Sequence, residues 1–311
     1  MAFGLRTLTQ DVSMPLTSVG TIEIPGSIGL LFDHGAFDPK TRRVFVAHTG
    51  RNSVEVIDHD SGRHLSTLHD FPEAAGVVAD EGQVLVTNRG AASLTWLDGD
   101  TLATRAVFAT GPRPNGVAIV SHRGLAVVAC IGDQTGGAEL QVLRLDGGER
   151  WSIDLPGRPR WCVADASGER LFLAIREPSM VLAADLPGLQ NLQHWKLPSA
   201  GAHGLDIAHT VKRLYIACDA GGLIEMDAVT GRVLNEWPLL GEPDATFFNL
   251  ASGLVHVAIG DPGLVQTIDP HTGTSTKFMT ERGAKTTALV APDHLYVFSP
   301  LHRGALVLAK A

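Results

Sequence analysis

Four side chains suited to proton transfer or anion binding recur along this 311-residue chain at nearly equal intervals. They are Arg160, His203, Asp244 and Lys285, separated by 43, 41 and 41 residues. An imidazole with an ordinary pKa near ~6.5 suits general acid–base work at neutral pH, and the carboxylate next in the series could orient it. A guanidinium matches a carboxylate or phosphate through two parallel hydrogen bonds, and an ammonium adds a compact second charge. The same set has a plainer reading, in which Asp244 pairs with Lys285 or Arg160, His203 fills space, and no chemistry follows.

Intervals this long exceed one hairpin or one helix face, so a repeated unit must carry these residues. The apolar segments VFVAH, VLVTN, VVAC, LFLAI, LYIAC, VHVAI and LYVFS end at residues 48, 88, 130, 175, 218, 259 and 299. Each follows a shorter apolar strand and a polar turn, as in GVAIV–SHRG. Each leads through a loop to a third strand, which in six units ends on aspartate: Asp58, Asp98, Asp146, Asp185, Asp227 and Asp269. A fourth strand, such as RVLNEWPL, closes the unit. Four short strands per roughly 40–45 residues, with period-2 patterning, predict a propeller blade and exclude a helical solenoid. The seventh unit stops at its third strand, GALVLAKA, and VGTIEIPG near the N-terminus is available as its fourth. The sequence therefore predicts an all-β, seven-bladed β-propeller over residues 1–311, one domain whose last blade is closed by the N-terminal strand.

In each blade the residue leading into the first strand lies innermost. Those residues are His34, Ala75, Asn115, Arg160, His203, Asp244 and Lys285 in blade order. Closure of the ring makes Arg160, His203, Asp244, Lys285 and His34 one contiguous arc. Loops between second and third strands add an outer ring at the same mouth, including His48, Asn88, Arg89, Arg176, Glu177, Asp219, Asp261 and His302. In the catalytic reading His203 moves the proton, Asp244 orients it, and Arg160 and Lys285 anchor an anion. Arg89 and Arg176 support that anion, and Asn115 helps hold a polarised carbonyl oxygen. A divalent metal is the alternative use of the histidines, with His34 and His48 as ligands beside His203, His302 and Asp244 or Asp261. No HExxH-type spacing occurs, and the cofactor is left open between none and a divalent ion.

The strand motifs VLVTN and VFVAH, with TGPRPNGVAI between blades, resemble the YVTN-type seven-bladed propellers over essentially the whole chain. The wider group contains lactonases of the phosphogluconolactonase type, muconate-cyclising enzymes, streptogramin lyases and proteins without known chemistry. The resemblance implies the fold, and it points to opening or forming a lactone, or to a related elimination; an Arg/Glu/His set matching the lactonases cannot be placed residue by residue. A non-catalytic platform for a protein or small metabolite is the rival expectation.

Composition narrows the partners. Formal charge is −8 and no run of Lys or Arg exists, which disfavours nucleic acid, and aromatics at 6% leave little to stack bases. No apolar stretch reaches the ~18–20 residues of a membrane helix, and no signal-type apolar region is seen, so a cytoplasmic monomer acting on a small anionic molecule is expected. Nucleotide and flavin loops are absent. Cys130, Cys162 and Cys218 are an odd, widely spaced set, unsuited to a disulfide framework or a thiolate zinc site.

Overall fold

A computed structural model describes residues 15–134, 136–301 and 304–310. Among these, 28 strands, β1 to β28, form seven four-stranded antiparallel sheets. The sheets are β2–β5, β6–β9, β10–β13, β14–β17, β18–β21, β22–β25, and β26–β28 completed by β1. The chain is a seven-bladed β-propeller. Ring closure is made where the sequence predicts it: β1 (Leu16–Glu23) pairs antiparallel with β28 (Gly304–Lys310), from Leu16 opposite Lys310 to Glu23 opposite Gly304. Each blade buries both faces of its middle strands against its neighbours. Thus Val44, Phe45, Val46 and Ala47 of β3 (Arg43–His48) are all fully buried. At ~1.5–3 kcal/mol per large apolar side chain, this interblade packing holds the ring. No helix among the described residues is long and apolar enough to cross a membrane.

The strand-ending aspartates hold the turns that follow them. Asp58, Asp98, Asp146, Asp227 and Asp269 each accept from turn backbone N–H groups, as in Asp58 from Ser61 at 2.7 Å and Asp98 from Thr101 at 2.8 Å. Asp185 instead accepts from the Asn191 side chain at 2.6 Å. Proline at 187 has no N–H to offer where the other turns supply one.

What positions the site is a fault repeated in the first strands. The pairing register shifts between Ala74 and Val77, Pro114 and Gly116, Pro159 and Cys162, Ala202 and Gly204, and Pro243 and Thr246. The slot residue in each of these five blades sits in that irregularity. An extra residue opposite a regular partner strand bends the chain and re-aims a side chain, here toward the axis. Glycine follows the slot where the blades crowd. A Cβ on Gly116 would run into the carbonyl oxygen of Arg160, and one on Gly204 into Thr246 and the carbonyl of Asp244. His34 and Lys285 immediately precede the first strands of their blades, β2 (Gly35–Asp38) and β26 (Thr286–Val290).

Candidate functional site

At one mouth of the channel, these slots surround a cavity of about 220 Å³. His34, Asn115, Arg160, His203, Asp244 and Lys285 all line it. His203, on β18 (Ala202–Ala208), is fixed from both sides. Its Nδ1 lies 2.7 Å from Asp219 Oδ1 and its Nε2 lies 3.4 Å from Asp244 Oδ1. Each carboxylate is backed by a cation: Arg176 Nε donates to Asp219 at 2.6 Å, and Lys285 Nζ lies 2.9 Å from Asp244. Burial opposes charge on the imidazole, but the hydrogen bonds to Asp219 and Asp244 outweigh it and raise the His203 pKa above its ordinary value. Burial likewise pushes against ionisation of Asp244 and Asp219. His203 prevails at both, helped by Lys285 at Asp244 and by Arg176 at Asp219, and both carboxyls stay below the usual carboxylate range. The Asp244 charge in turn raises the Lys285 pKa.

Arg160 is placed differently. It has no carboxylate within ion-pair reach among the described residues, and its Nε is buried without a hydrogen-bond partner. Burial and the neighbouring Arg158 guanidinium both lower its pKa. Arg158 is lowered by burial and by the positive charges of Arg176, Arg89 and Arg113. Among the described residues that line the cavity, five cations, Arg89, Arg113, Arg158, Arg160 and Lys285, stand against two carboxylates, Asp33 and Asp244, a surplus of three positive charges on a chain of net −8. This surplus attracts small anions.

The remaining sequence-derived candidates divide. Arg89 is committed to structure: it meets Asp33 at 2.6 Å and donates from Nε to the Asn115 carbonyl oxygen at 3.1 Å. Arg176 is tied to Asp219, so it positions the carboxylate that holds His203. His34 lines the cavity with Nδ1 held by Asp33 at 2.6 Å, and its ring stacks on Trp161 from across the channel, centroids 3.9 Å apart. His48 is not at the mouth. It is fully buried in blade 1, with Nδ1 2.8 Å from Glu55 and its ring stacked on Phe32. As the last residue of β3 it still follows the strand's alternation, which turns its side chain into the blade. His34 and His48 are therefore not brought together as metal ligands. Asp261 faces Arg282 at an exposed edge, and His302 lies outside the described residues. Among the described residues, His203, Asp219 and Glu242 are the group whose ligand atoms converge closely enough to hold a cation. Arg176 already occupies one oxygen of Asp219 there. All three thiols are buried, and burial pushes Cys130 and Cys218 up to about 12, so none supplies a thiolate near neutrality.

Asp33, Arg113, Arg158 and Trp161 were not singled out from sequence, and Asp219 was placed at the mouth without a role. A signal for the two arginines exists in GPRPNG and GRPRW, where Arg stands two residues before the slot with proline between.

No protein-family model matches the chain, and no curated protein matches it by sequence. Solved structures do match in shape. A hydrazine synthase from Kuenenia stuttgartiensis aligns over 99% of both chains at TM-score 0.79 and 13% identity. A streptogramin B lyase aligns over 95% of this chain and 97% of its own at TM-score 0.76 and 14% identity. Virginiamycin B lyase from Staphylococcus aureus, in a catalytically inactive form with quinupristin, covers 96% of this chain and 99% of its own at TM-score 0.77 and 11% identity. At such identities the likeness is one of fold.

Proposed function

We propose that this propeller is an enzyme acting on a small anionic substrate at the cationic mouth, by opening or forming a lactone or by a related elimination. The observation that carries the reading is the juxtaposition of a doubly anchored imidazole with a buried guanidinium that makes no ion pair among the described residues. Arg160, with Arg158 beside it, takes the carboxylate or phosphate of the substrate. Asp219 holds Nδ1 of His203, and Nε2 turns from its 3.4 Å contact with Asp244 to the reacting bond, with the raised pKa favouring a proton on it. In a ring opening, water adds to the lactone carbonyl carbon and the ring C–O bond breaks. His203 gives its proton to the departing oxygen and recovers one from the added water, so lactone plus water becomes hydroxy acid. The NH₂ end of Asn115, whose carbonyl oxygen is engaged by Arg89, is the polar group available to a developing oxyanion. The likeness of the strand motifs to YVTN-type propellers and of the fold to two lyases supports this class of reaction.

The test is turnover of a panel of lactones and carboxylate-bearing esters by wild type and His203→Gln. The amide keeps a polar side chain and loses the proton, so a fall of about 10²–10⁴-fold with a cooperative melting transition retained is expected. Equal turnover by the two proteins would remove His203 from the mechanism. A second reading has one observation in its favour. Ile28, Leu31 and Leu301 are exposed beside the mouth, on segments joined by the Gly29–Pro300 backbone hydrogen bond, as a docking rim for a protein would be.

A further inference from the structure

The channel does not end at the cationic mouth. Directly beneath lies a second chamber of about 360 Å³, walled like the first by all seven blades. Its side chains are mostly apolar. Phe37, Val77, Val117, Val163, Ile207 and Leu289 contribute to a wall whose only acid and base among the described residues, besides the Cys162 thiol, are Asp206 and His209. Trp161 and Phe247 line both chambers and so form the partition between them. Trp161 is the residue after Arg160, so the guanidinium and the apolar partition stand side by side on β14 (Pro159–Ala164).

We propose that the ligand of this channel is an amphiphile, a carboxylate or phosphate carrying an apolar tail. The head lies on Arg160 and Arg158, and the tail parts the His34–Trp161 stack to reach the lower chamber. The proposal rests on the anion-binding reading of the mouth and extends it to the substrate's other end. At ~30 Å³ per water-sized group, the lower chamber accommodates on the order of ten such groups, enough for a medium alkyl chain or an aryl ring. The polarity along the axis also sets direction. Asp206 sits in the lower wall with its carboxyl accepting backbone N–H bonds from Ile207 at 2.8 Å and Phe248 at 2.7 Å. Burial pushes its pKa up to about 6, so near neutrality it presents negative charge at the lower end. A second anion is repelled there, and the head is directed upward to the arginines.

Calorimetric titration with straight-chain carboxylates from acetate to octanoate, and with octanol, tests this. In the wild type each added methylene should tighten binding about three- to fourfold until the chamber is filled, and octanol should bind more weakly than octanoate. Ala79→Phe and Ala164→Phe, on the second and fourth blades of the lower chamber, fill it without touching the arginines, and a melting curve confirms that each folds. Both should bind acetate as wild type does and lose the dependence on chain length. If short and long carboxylates bind alike in the wild type, the tail site is wrong while the anion mouth stands. If the dependence persists in both filled variants, the tail lies elsewhere. If no carboxylate binds, the mouth reading and this proposal fall together.

Discussion

Two histidine–carboxylate pairs in this propeller have almost the same local geometry. His203 Nδ1 lies 2.7 Å from Asp219, and His48 Nδ1 lies 2.8 Å from Glu55. Their surroundings differ in kind. Glu55 spends its two oxygens on His48, His64, Ser53 and Thr67, inside a blade where His48 and Glu55 are fully buried. Asp219 and Asp244 hold His203 between them at the rim of an open cavity, each backed by a cation. The comparison shows that a hydrogen-bonded imidazole is not by itself a site. A strand irregularity aims His203 at the axis, whereas regular alternation seals His48 into packing. The first pair borders the cavity, and the second fastens β4 (Ser53–Asp58) and β5 (Arg63–His69) to β3.

That contrast can be broken by exchanging the lesions. His203→Ala should cost turnover about 10²–10⁴-fold and leave the denaturation midpoint nearly unchanged, because the cavity admits water to both carboxylates. His48→Ala should do the reverse. It leaves a void and a buried carboxylate short of a partner, so chemical denaturation should show a loss of about 3 kcal/mol while anion affinity holds. Equal stability losses from the two substitutions would remove the distinction drawn between them.

A smaller effect follows from pH. The folded pKa of His203 is raised, so its contribution to stability is complete below about 6.5 and is lost as pH rises through the folded value. Asp219 and Asp244 are lowered, so theirs is complete above about 3.9 and is lost as pH falls through their folded values. Stability attributable to the mouth should therefore be greatest between about 4 and 6.5. In His203→Gln the decline on the alkaline side should flatten, and a decline as steep as in wild type would assign it to another group. The smallest effect is expected from Arg176→Ala. Without the guanidinium, Asp219 bears on His203 alone and its imidazole pKa should rise further, visible in an NMR titration of the ring, with turnover changed only a few-fold. A fall in that pKa would mean that Arg176 does not act through Asp219.

The blades were legible in the chain because their spacing is a property of sequence, and so was the contiguous arc, since each slot keeps its offset from its strand. The pairing of Asp244 with Lys285 was also among the expected alternatives. Other parts depended on side-chain direction. His48 and Asp219 occupy similar positions after a second strand, at its last residue and just beyond it. Only the turn geometry shows that one points into the blade and the other back to the axis. Asp33 was hidden in SIGLLFDHG, where the approach to the first strand departs from the other blades. Arg158 and Arg113 share an offset that becomes meaningful only once the neighbouring slots are known to converge.

The central claim is that Arg160 is an anion anchor beside His203. The direct measurement is the melting temperature of wild type and Arg160→Ala across a panel of carboxylates, lactones and sugar phosphates. A ligand that binds only the folded state must raise that temperature. The account predicts that at least one anion stabilises the wild type and that Arg160→Ala loses the shift while keeping its ligand-free melting temperature. The same shift in both proteins, or no shift from any anion in the wild type, would contradict it.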